Sequence, residues 1–339
     1  MQVDEREQLL IEWLQGVFET DDFSCEEVSS DASFRRYFRV FLDNKSFVVM
    51  DAPPEKEDCT SFISIAILLF EKGVNVPQIF HQSLDLGFLV LSDLGCESYL
   101  DNLTQSVADS RYNDAVQTLH KMHELALNDI DIPHYDLASL QQEMNLFDEW
   151  FVKQLLGVEL SKQEQQVLAN IKNILSQSAL EQPQVFVHRD YHSRNLILTV
   201  ENNPGVIDFQ DAVKGPITYD LVSLYKDCYI AWPDEQIYAW LDSFLQQRKA
   251  RGRHDDFDKQ RFYRWFDWMG VQRHLKVLGI FARLALRDGK PNYLNDIPQT
   301  LSYVMAVCRR YDALLPLVEL IDRHDLVGKF EQQRQEVMT

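Results

Sequence analysis

The sequence is poor in basic residues, and this shortage excludes one broad class of partner. Its 339 residues include 33 Lys and Arg against 53 Asp and Glu, which gives a formal charge of −20. Such a surplus of negative charge repels the phosphate backbone, which supplies most non-specific affinity for nucleic acids. We therefore expect no nucleic-acid partner.

Cysteine pairs and long apolar runs are also lacking. The five cysteines are widely scattered and form no CxxC pair, so neither a disulfide framework nor a structural zinc site is indicated. The first residues, MQVDEREQLL, lack the basic-then-apolar order of a signal peptide, and the longest apolar run, Phe62 to Phe70, is too short to span a bilayer. We expect a protein of the reducing cytoplasm that has no membrane partner.

The first part of the chain contains most of the predicted strands. Apolar side chains recur at helical spacing in the opening twenty residues. Strands are predicted at Phe34 to Phe41 and Phe47 to Met50, with a turn between them at residues 43–45. A helix is predicted at Cys59 to Glu71, and two further strands at 78–81 and 88–91.

From residue 98 onward the pattern is mainly helical. Three short apolar strands interrupt it, at 185–188, 196–200 and 206–209, and residues 202–205 give a strong turn signal between the last two. The sequence therefore predicts an α+β fold with two lobes. Residues 1–94 would form a small antiparallel-sheet lobe, and residues 95–339 a larger helical lobe.

The most informative stretch is VFVHRDYHSRNLIL at 185–198, followed by VIDF at 206–209. It places Asp190 and Asn195 on a loop between strands, and Asp208 at the end of the next strand. Phosphoryl transfer needs a carboxylate that meets the attacking hydroxyl, and oxygen ligands for the metal ions that neutralise the triphosphate. Asp190 suits the first role, and the other two side chains supply the hard oxygen ligands that Mg²⁺ prefers.

The order of these residues reproduces the kinase spacing HRDxxxxN…DFG. Together with His192 and the stretch GPITYDL at 215–221, it resembles the aminoglycoside-phosphotransferase branch of the protein-kinase-like superfamily. The resemblance implies a two-lobed protein-kinase-like fold and ATP and Mg²⁺ as cofactors. It also implies Asp190 as the catalytic base and Asn195 and Asp208 as metal ligands. Three further polar residues are interpreted as scaffold for the catalytic loop: His188, Arg189 and Asp220.

The resemblance also assigns the N-terminal lobe to the nucleotide. Its phosphate loop would lie at residues 29–33, SSDAS, which contain no glycine. Ala32 and Ser33 are candidate phosphate contacts through their backbone N–H groups, and an ordinary polar turn is the alternative. A hinge at Ser92, Asp93 and Leu94 would offer backbone groups to the adenine edge.

The basic residue that this family carries on the third strand is missing, since residues 47–51 read FVVMD. Strand alternation puts Arg36 on the same face as Phe34, Phe38 and Val40. An Arg on an apolar face needs an anionic partner, and the triphosphate is one candidate. The alternative is an Arg at a strand end whose head group reaches water.

One window departs from the acidic composition. Between Lys259 and Lys290 eight Lys or Arg residues stand against two Asp. Four of them fall on one side of a predicted helix: Arg273, Lys276, Arg283 and Arg287. This basic stripe either reads an anionic substrate or pairs with the surplus acids of the protein itself.

Longer stretches, such as SDASFRRYFRV and QRHLKVLGIFARLALRDGKPNYL, are similar to kinases that phosphorylate the anomeric hydroxyl of amino sugars in peptidoglycan recycling. The implied substrates are N-acetylmuramate and N-acetylglucosamine. The candidate substrate contacts are His192, Arg194, Asp211, Arg273, Lys276 and Arg283. His192 and Arg194 are equally well explained as scaffold. Glu143, Asp148 and Trp150 either line the sugar site or form a plain helical face.

Two other functions remain open at this point. One is a kinase of another small alcohol, such as an aminoglycoside or a choline-like compound, which an acid-lined pocket would favour. The other is a nucleotide-binding pseudokinase that acts through protein contacts. The presence of Asp190, Asn195 and Asp208 together argues against the pseudokinase, because each has a separate role in phosphoryl transfer.

Overall fold

The computed structural model describes residues 5–30, 34–253 and 256–338. The chain forms two compact units. The sheet unit contains the described residues up to Asp101 together with Asn195–Asp211, and the helical unit contains Asn102–Arg194 and the described residues from Ala212 onward. The predicted functional boundary at residue 94 stays a prediction. No helix in the described ranges is long and apolar enough to cross a membrane.

The sheet unit is built on five antiparallel strands in the order β1-β2-β3-β5-β4. The predicted hairpin of β2 and β3 is confirmed: Arg36 lies opposite Asp51, and Leu42 lies opposite Lys45. Asp43 turns the chain with a φ of 53°, a left-handed conformation that Asp tolerates better than most residues. The strands are β1 Ser24–Ser30, β2 Arg36–Leu42, β3 Lys45–Asp51, β4 Ile79–Ser83 and β5 Phe88–Ser92.

Helix α1, Glu5–Phe18, covers one face of this sheet. Leu10 and Leu14 are fully buried against Phe38 and Val40 of β2. Burying one such side chain contributes about 1.5–3 kcal/mol. Because neighbouring strand residues point to opposite faces, Tyr37 and Arg39 are directed away from α1.

The sheet unit also contains α2, Thr60–Glu71, and a hairpin of β7, Leu196–Ile197, with β8, Gly205–Val206. Both strands are shorter than predicted. The Leu198 N–H donates to the Glu97 carbonyl and not across the hairpin, so the strand pairing of β7 with β8 ends at Ile197. At the other end one further hydrogen bond crosses the hairpin, from the Ile207 N–H to the Asn195 carbonyl. The predicted helix at Cys59 to Glu71 is confirmed with a start one residue later.

The helical unit is mainly helical, as predicted, with one small sheet in which β6 pairs with β9. The short helix α3, Tyr99–Asn102, runs from one unit into the other. The remaining elements are α4 Ala108–His123, α5 Leu137–Leu146, α6 Lys162–Leu180, β6 Gln184–Val187, β9 Val213–Pro216, α7 Tyr219–Tyr225, α8 Asp234–Ala250, α9 Lys259–Leu286, α10 Ile297–Cys308, α11 Leu315–Arg323 and α12 Leu326–Met338, with short 3-10 turns at Leu127–Asp129, Pro291–Asp296 and Asp312–Leu314.

Helix α9 is the central helix of this unit and is buried along most of its 28 residues. Gly279 permits a close approach to α5, since a Cβ atom there would lie 2.2 Å from the carbonyl carbon of Leu146. Directly after Leu146 the chain continues as a π-helical segment, Phe147–Leu155, a rare geometry that is frequent near functional residues. Close to this contact, Glu143 of α5 pairs with Lys276 of α9.

Candidate active site

A cavity of about 180 Å³ lies in the sheet unit. Tyr37, Arg39 and Val48 line it from the sheet face that points away from α1. The predicted hinge residues Ser92, Asp93 and Leu94 line it as well, together with Asn195 and Asp208. The structure therefore gathers the predicted hinge and both predicted metal ligands around one cavity.

The Asp93 carboxylate holds the hinge in place. It accepts hydrogen bonds from the Gly95 N–H at 2.9 Å and from Arg39 Nε at 2.8 Å. Burial raises the pKa of Asp93, but these donors outweigh it and leave the pKa below its ordinary value. The side chain is thus engaged within the protein, and only backbone groups of the hinge remain to meet a ligand.

The β3 residues on the cavity side of the sheet carry no charge. Val48 lines the cavity, and Met50, two residues further on β3, is fully buried on the same face. Among the described residues that line the cavity, Arg39 is the only cation, and it is paired with Asp93. Sequence reasoning missed this pair because its members are 54 residues apart.

The anionic partner predicted for Arg36 is a side chain of the protein. Arg36 Nη2 lies 2.7 Å from Asp51 Oδ2, directly across the strand pair, and Arg6 of α1 binds the other oxygen at 2.6 Å. Asp51 is fully buried. Arg36 lies on the face of β2 that α1 covers and does not belong to the described lining of the cavity. Asp51 therefore provides the anionic partner that an Arg on an apolar face requires, and a triphosphate is not needed to explain its position. Ala32 and Ser33 lie outside the described residues.

Asn195 and Asp208 are brought together by the β7–β8 hairpin. Asn195 Nδ2 lies 3.2 Å from Asp208 Oδ2, and Gln210 Nε2 donates to Asp208 Oδ1 at 2.7 Å. Asp208 adopts a φ of 66°, and the next residue, Phe209, is anchored by stacking on Phe62 of α2 at 5.0 Å. This anchor keeps the Asp208 carboxylate at the cavity.

These side chains suit a magnesium ion. No cluster of three or more His, Cys, Asp or Glu that could hold a metal occurs in the described ranges, and Mg²⁺ usually takes only one or two protein carboxylates beside the phosphates of its nucleotide. Gln210 adds a signal that the sequence did not give: its buried Oε1 has no hydrogen-bond partner among the described residues. An oxygen of this kind beside the Asp208 carboxylate is a suitable ligand for a cation bound at that position.

The helical unit carries Asp190, on the loop that follows β6. Asp220, nearly fully buried, accepts hydrogen bonds from the backbone N–H groups of His188 at 2.7 Å and Arg189 at 3.0 Å. These bonds hold Arg189 at a φ of 78°, a conformation that costs free energy unless its surroundings enforce it. The structure therefore supports the scaffold role predicted for Asp220.

A second buried carboxylate, Asp227, holds the other end of the same loop. It accepts hydrogen bonds from the Ser193 N–H at 2.9 Å and from the Tyr229 N–H at 3.0 Å. Sequence reasoning missed this role, because Asp227 follows α7 and belongs to none of the motifs used above. The signal that could have found it is an Asp placed among apolar residues, which predicts a hydrogen-bonded partner.

Cations surround Asp190 within the helical unit. Arg273 Nη2 lies 3.8 Å from Asp190 Oδ1, and the Arg273 side chain is 5% exposed while that of Asp190 is 42% exposed. Burial raises the pKa of Asp190, but Lys276, His192 and Arg273 together lower it to about 2. Asp190 is therefore ionised at neutral pH and accessible.

Glu143 of α5 neutralises part of this positive charge. Its carboxylate pairs with Arg189, receives the Tyr135 hydroxyl, and lies 3.0 Å from Lys276 Nζ. Burial raises the pKa of Glu143, and the two cations lower it below its ordinary value. Glu143 is thus a partner of two cations close to Asp190. The sequence had left its role open between a contact to the sugar and a place on a plain helical face.

Arg194 and His192 both contact Tyr229. The Arg194 guanidinium lies 3.5 Å from the centre of the Tyr229 ring, and the His192 ring lies edge-on to it at 5.4 Å. Burial lowers the pKa of His192, so it is neutral at neutral pH. No hydrogen-bond partner of its buried Nδ1 is found in the described part of the chain.

The basic stripe does not act as one surface. Arg273 and Lys276 are buried beside Asp190 and Glu143, whereas Arg287 lies beyond the end of α9 and pairs with its neighbour Asp288 at 2.7 Å. Arg283 is half-buried. Asp211 is exposed at the end of the sheet-unit segment, and its predicted role stays a prediction.

Asp148 and Trp150, the remaining open candidates, lie in the π-helical segment. The Asp148 carboxylate pairs with Lys172 of α6, and Trp150 packs against the core of the helical unit. These contacts explain both side chains without a sugar.

Comparisons with known proteins identify relatives of the chain and its fold. Residues 24–263 match the model of the phosphotransferase enzyme family. The chain is 46% identical to an N-acetylmuramate/N-acetylglucosamine kinase of Pseudomonas putida over 88% of this chain and 87% of the relative. A protein of the same name from Neisseria meningitidis serogroup B is 43% identical over 96% and 98%. An AMP-bound spectinomycin phosphotransferase aligns with a TM-score of 0.63 at 12% identity, over 88% of this chain and 98% of that one. The predicted protein-kinase-like fold is confirmed.

Proposed function

Because the chain belongs to the phosphotransferase enzyme family, we propose that it transfers a phosphoryl group from ATP to the anomeric hydroxyl of N-acetylmuramate and N-acetylglucosamine. The observation that carries this proposal is its identity of 43–46% with two kinases named for these sugars, over 88–96% of the chain. At that level of identity and coverage the same substrates are the simplest expectation.

Asp190 is the residue that meets the sugar. Its carboxylate accepts a hydrogen bond from the hydroxyl and turns the oxygen lone pair toward the γ-phosphorus. As the new P–O bond forms and the bond to the ADP oxygen breaks, the hydroxyl becomes strongly acidic and its proton passes to Asp190. With a pKa of about 2, Asp190 takes this proton only after the new bond has largely formed.

Three residues would hold Mg²⁺ through their side-chain oxygen atoms: Asn195, Asp208 and Gln210. When bound, Mg²⁺ would neutralise the negative charge of the phosphates, which moves toward the leaving group during the transfer. The backbone of Ser92, Asp93 and Leu94 would receive the adenine edge, since the Asp93 side chain is already engaged by Arg39. These residues account for binding of the nucleotide and its metal.

Charge argues against an aminoglycoside as the substrate. Such a compound carries several ammonium groups, and Arg273, Lys276 and Arg189 all lie near Asp190 and lower its pKa. Glu143 offsets only part of this charge. A neutral or anionic sugar meets no such repulsion.

The test is to measure ATP consumption with N-acetylmuramate, N-acetylglucosamine, an aminoglycoside and choline, and to locate the phosphate by ³¹P NMR. We expect turnover with the two amino sugars and a phosphate on the anomeric carbon. Asp190→Asn should bind ATP normally and lose about 10²- to 10⁴-fold in kcat, because the amide keeps the shape and removes the proton acceptor. Turnover only with an aminoglycoside or choline would contradict the substrate. Near wild-type kcat in the variant would contradict the role of Asp190.

A further inference from the structure

Arg194 differs from the other cations near Asp190 because its charge is not neutralised locally. Its side chain is exposed, and no carboxylate of the described residues forms an ion pair with it. It is nevertheless held in one place, since its guanidinium lies 3.5 Å from the centre of the Tyr229 ring. An Arg that is positioned but not paired can accept an anionic group of a ligand without first breaking a salt bridge.

The other candidate cations are already engaged. Arg273 is buried beside Asp190, Lys276 is buried between Glu143 and the Tyr219 hydroxyl, and Arg287 pairs with Asp288. Recruiting Arg273 or Lys276 for a ligand would take a cation away from a protein carboxylate in a buried place, which is costly. This leaves Arg194 and Arg283.

Arg194 is linked to Asp190 through a short series of contacts that includes Tyr229 and His192. It stands four residues after Asp190 on the same loop, and His192 between them packs against the ring that carries Arg194. The His192 N–H donates to the Asp190 carbonyl at 3.0 Å, so this part of the loop is folded back tightly. Arg194 therefore lies within the span of a small ligand whose hydroxyl meets Asp190.

The surroundings of Arg194 suit a sugar better than a polyphosphate. From Tyr229 an aromatic series leads into the core of the helical unit, with the buried Phe281 at 6.3 Å from Tyr229 and Tyr293 at 5.4 Å from Phe281. Of these rings the half-buried Tyr229 and Tyr293 are partly exposed. Aromatic rings bind the apolar faces of sugars, whereas phosphates are bound mainly by clustered backbone N–H groups and cations. The half-buried Asp296 carboxylate also lies near enough for Arg194 to act on it electrostatically, and it repels a phosphate group of two charges more strongly than the single carboxylate of a sugar acid.

We propose that Arg194 binds the lactyl carboxylate of N-acetylmuramate and so determines how well the enzyme uses the anionic sugar relative to the neutral one. N-acetylglucosamine lacks the lactyl group and makes no use of this contact. Tyr229 acts through Arg194: its ring holds the guanidinium in place. The proposal rests on the proposed function, because it presumes that both sugars are substrates.

The experiment compares kcat/KM for the two sugars in Arg194→Gln, at saturating Mg²⁺ and ATP. We expect a loss of roughly ten- to a hundredfold for N-acetylmuramate, the usual effect of losing a charge-assisted hydrogen bond. The value for N-acetylglucosamine should stay within about threefold, and KM for ATP should not change. Arg194→Lys should recover part of the loss, and Tyr229→Leu should reproduce part of it with the same preference between sugars. Arg309→Gln is the matched control, since Arg309 is exposed at the end of α10.

Each alternative has its own result. Equal losses on both sugars, or a raised KM for ATP, would overturn the proposal and place Arg194 at the nucleotide or in the loop scaffold. A selective loss in Arg283→Gln but not in Arg194→Gln would overturn it in favour of Arg283. If the wild-type enzyme phosphorylates neither sugar, the proposed function fails before the role of Arg194 is addressed. Wild-type activity on both sugars with no selective loss contradicts the role of Arg194 alone.

Discussion

Replacing Glu143 by Gln should destabilise the helical unit, because Glu143 neutralises two cations in a poorly solvated place. Its side chain is 13% exposed, and that of Lys276 is 9% exposed. The substitution keeps the shape, removes the charge that balances Lys276 and Arg189, and leaves one acceptor oxygen where the Tyr135 hydroxyl and the two cations now meet two. Of the contacts described for Lys276 Nζ, the Tyr219 hydroxyl at 3.2 Å would remain.

The expected loss is about 3 kcal/mol. Removing one partner of a buried ion pair typically costs about 3–5 kcal/mol, and Gln belongs at the lower end because it still accepts hydrogen bonds. Lys276→Met alone should cost less, about 1–2 kcal/mol, since Glu143 keeps Arg189 as a partner. In the double variant only Arg189 loses its partner, whereas Glu143→Gln alone leaves both Lys276 and Arg189 without one, so the two losses should fall short of additivity by about 1–2 kcal/mol.

Urea unfolding followed by tryptophan fluorescence measures this cycle. Five of the six tryptophans, all except Trp13, belong to the helical unit, so the signal reports mainly on the unit that contains the pair. Glu149→Gln is the control, because Glu149 is exposed in the adjoining segment, and it should change stability by less than about 0.5 kcal/mol. Strict additivity of the two single losses would refute the coupling between Glu143 and Lys276.

The dependence on pH provides a second check. The cations hold the pKa of Glu143 below its ordinary value of 4.5 in the folded state, against the effect of burial. A carboxylate with a lowered folded pKa stabilises the protein above its unfolded pKa and loses this contribution as the pH falls through the folded pKa. The difference between wild type and Glu143→Gln should therefore be constant from pH 7 to about 5 and shrink below pH 4.5. A difference that grows on acidification would contradict the ion pair.

Two further predictions concern the remaining site residues. Asp208→Asn should weaken ATP binding in a way that added Mg²⁺ partly restores, because a neutral ligand holds a divalent cation poorly; a defect in titration calorimetry that is independent of Mg²⁺ would show that Asp208 is not a metal ligand. Arg273→Gln should move the acid limb of kcat/KM to higher pH, because Arg273 is one of the cations that lower the pKa of Asp190 to about 2. An unchanged acid limb would mean that Arg273 does not influence the base.

Sequence reasoning located the residues that stand in fixed order along the chain. Asp190, Asn195 and Asp208 could be assigned because their roles in phosphoryl transfer require particular residue types, and the spacing between them is set by one loop and one hairpin. The hairpin of β2 and β3 was predictable for a similar reason, since alternation and turn residues are local features. Local patterns thus predicted the strands, and the roles proposed for Asp190, Asn195 and Asp208 rest on the same local patterns.

The partners of charged residues were not predictable from the sequence. Asp93 binds Arg39 across 54 residues, Arg36 binds Asp51 across 15, and Arg189 binds Glu143 across 46. Each pair depends on the tertiary arrangement of strands or helices. This explains why the sequence left the partner of Arg36 open between the triphosphate and water, and why it did not point to Asp227: the periodicity of an element shows which face a side chain occupies and not what it meets there.

The charges around Asp190 have opposite effects on the proposed reaction, and Glu143 sets the balance between them. Lys276 and Arg273 keep Asp190 ionised, so the carboxylate is always ready to accept a hydrogen bond from the substrate. The same cations weaken it as a base, because a carboxylate with a pKa of about 2 takes a proton only from a strongly acidic donor. Glu143 pairs with Lys276 and Arg189, which limits how far the basicity of Asp190 is reduced. In Glu143→Gln the full charge of both cations would act on Asp190, so a variant that is still folded at 25 °C should show a lower kcat with little change in KM for ATP.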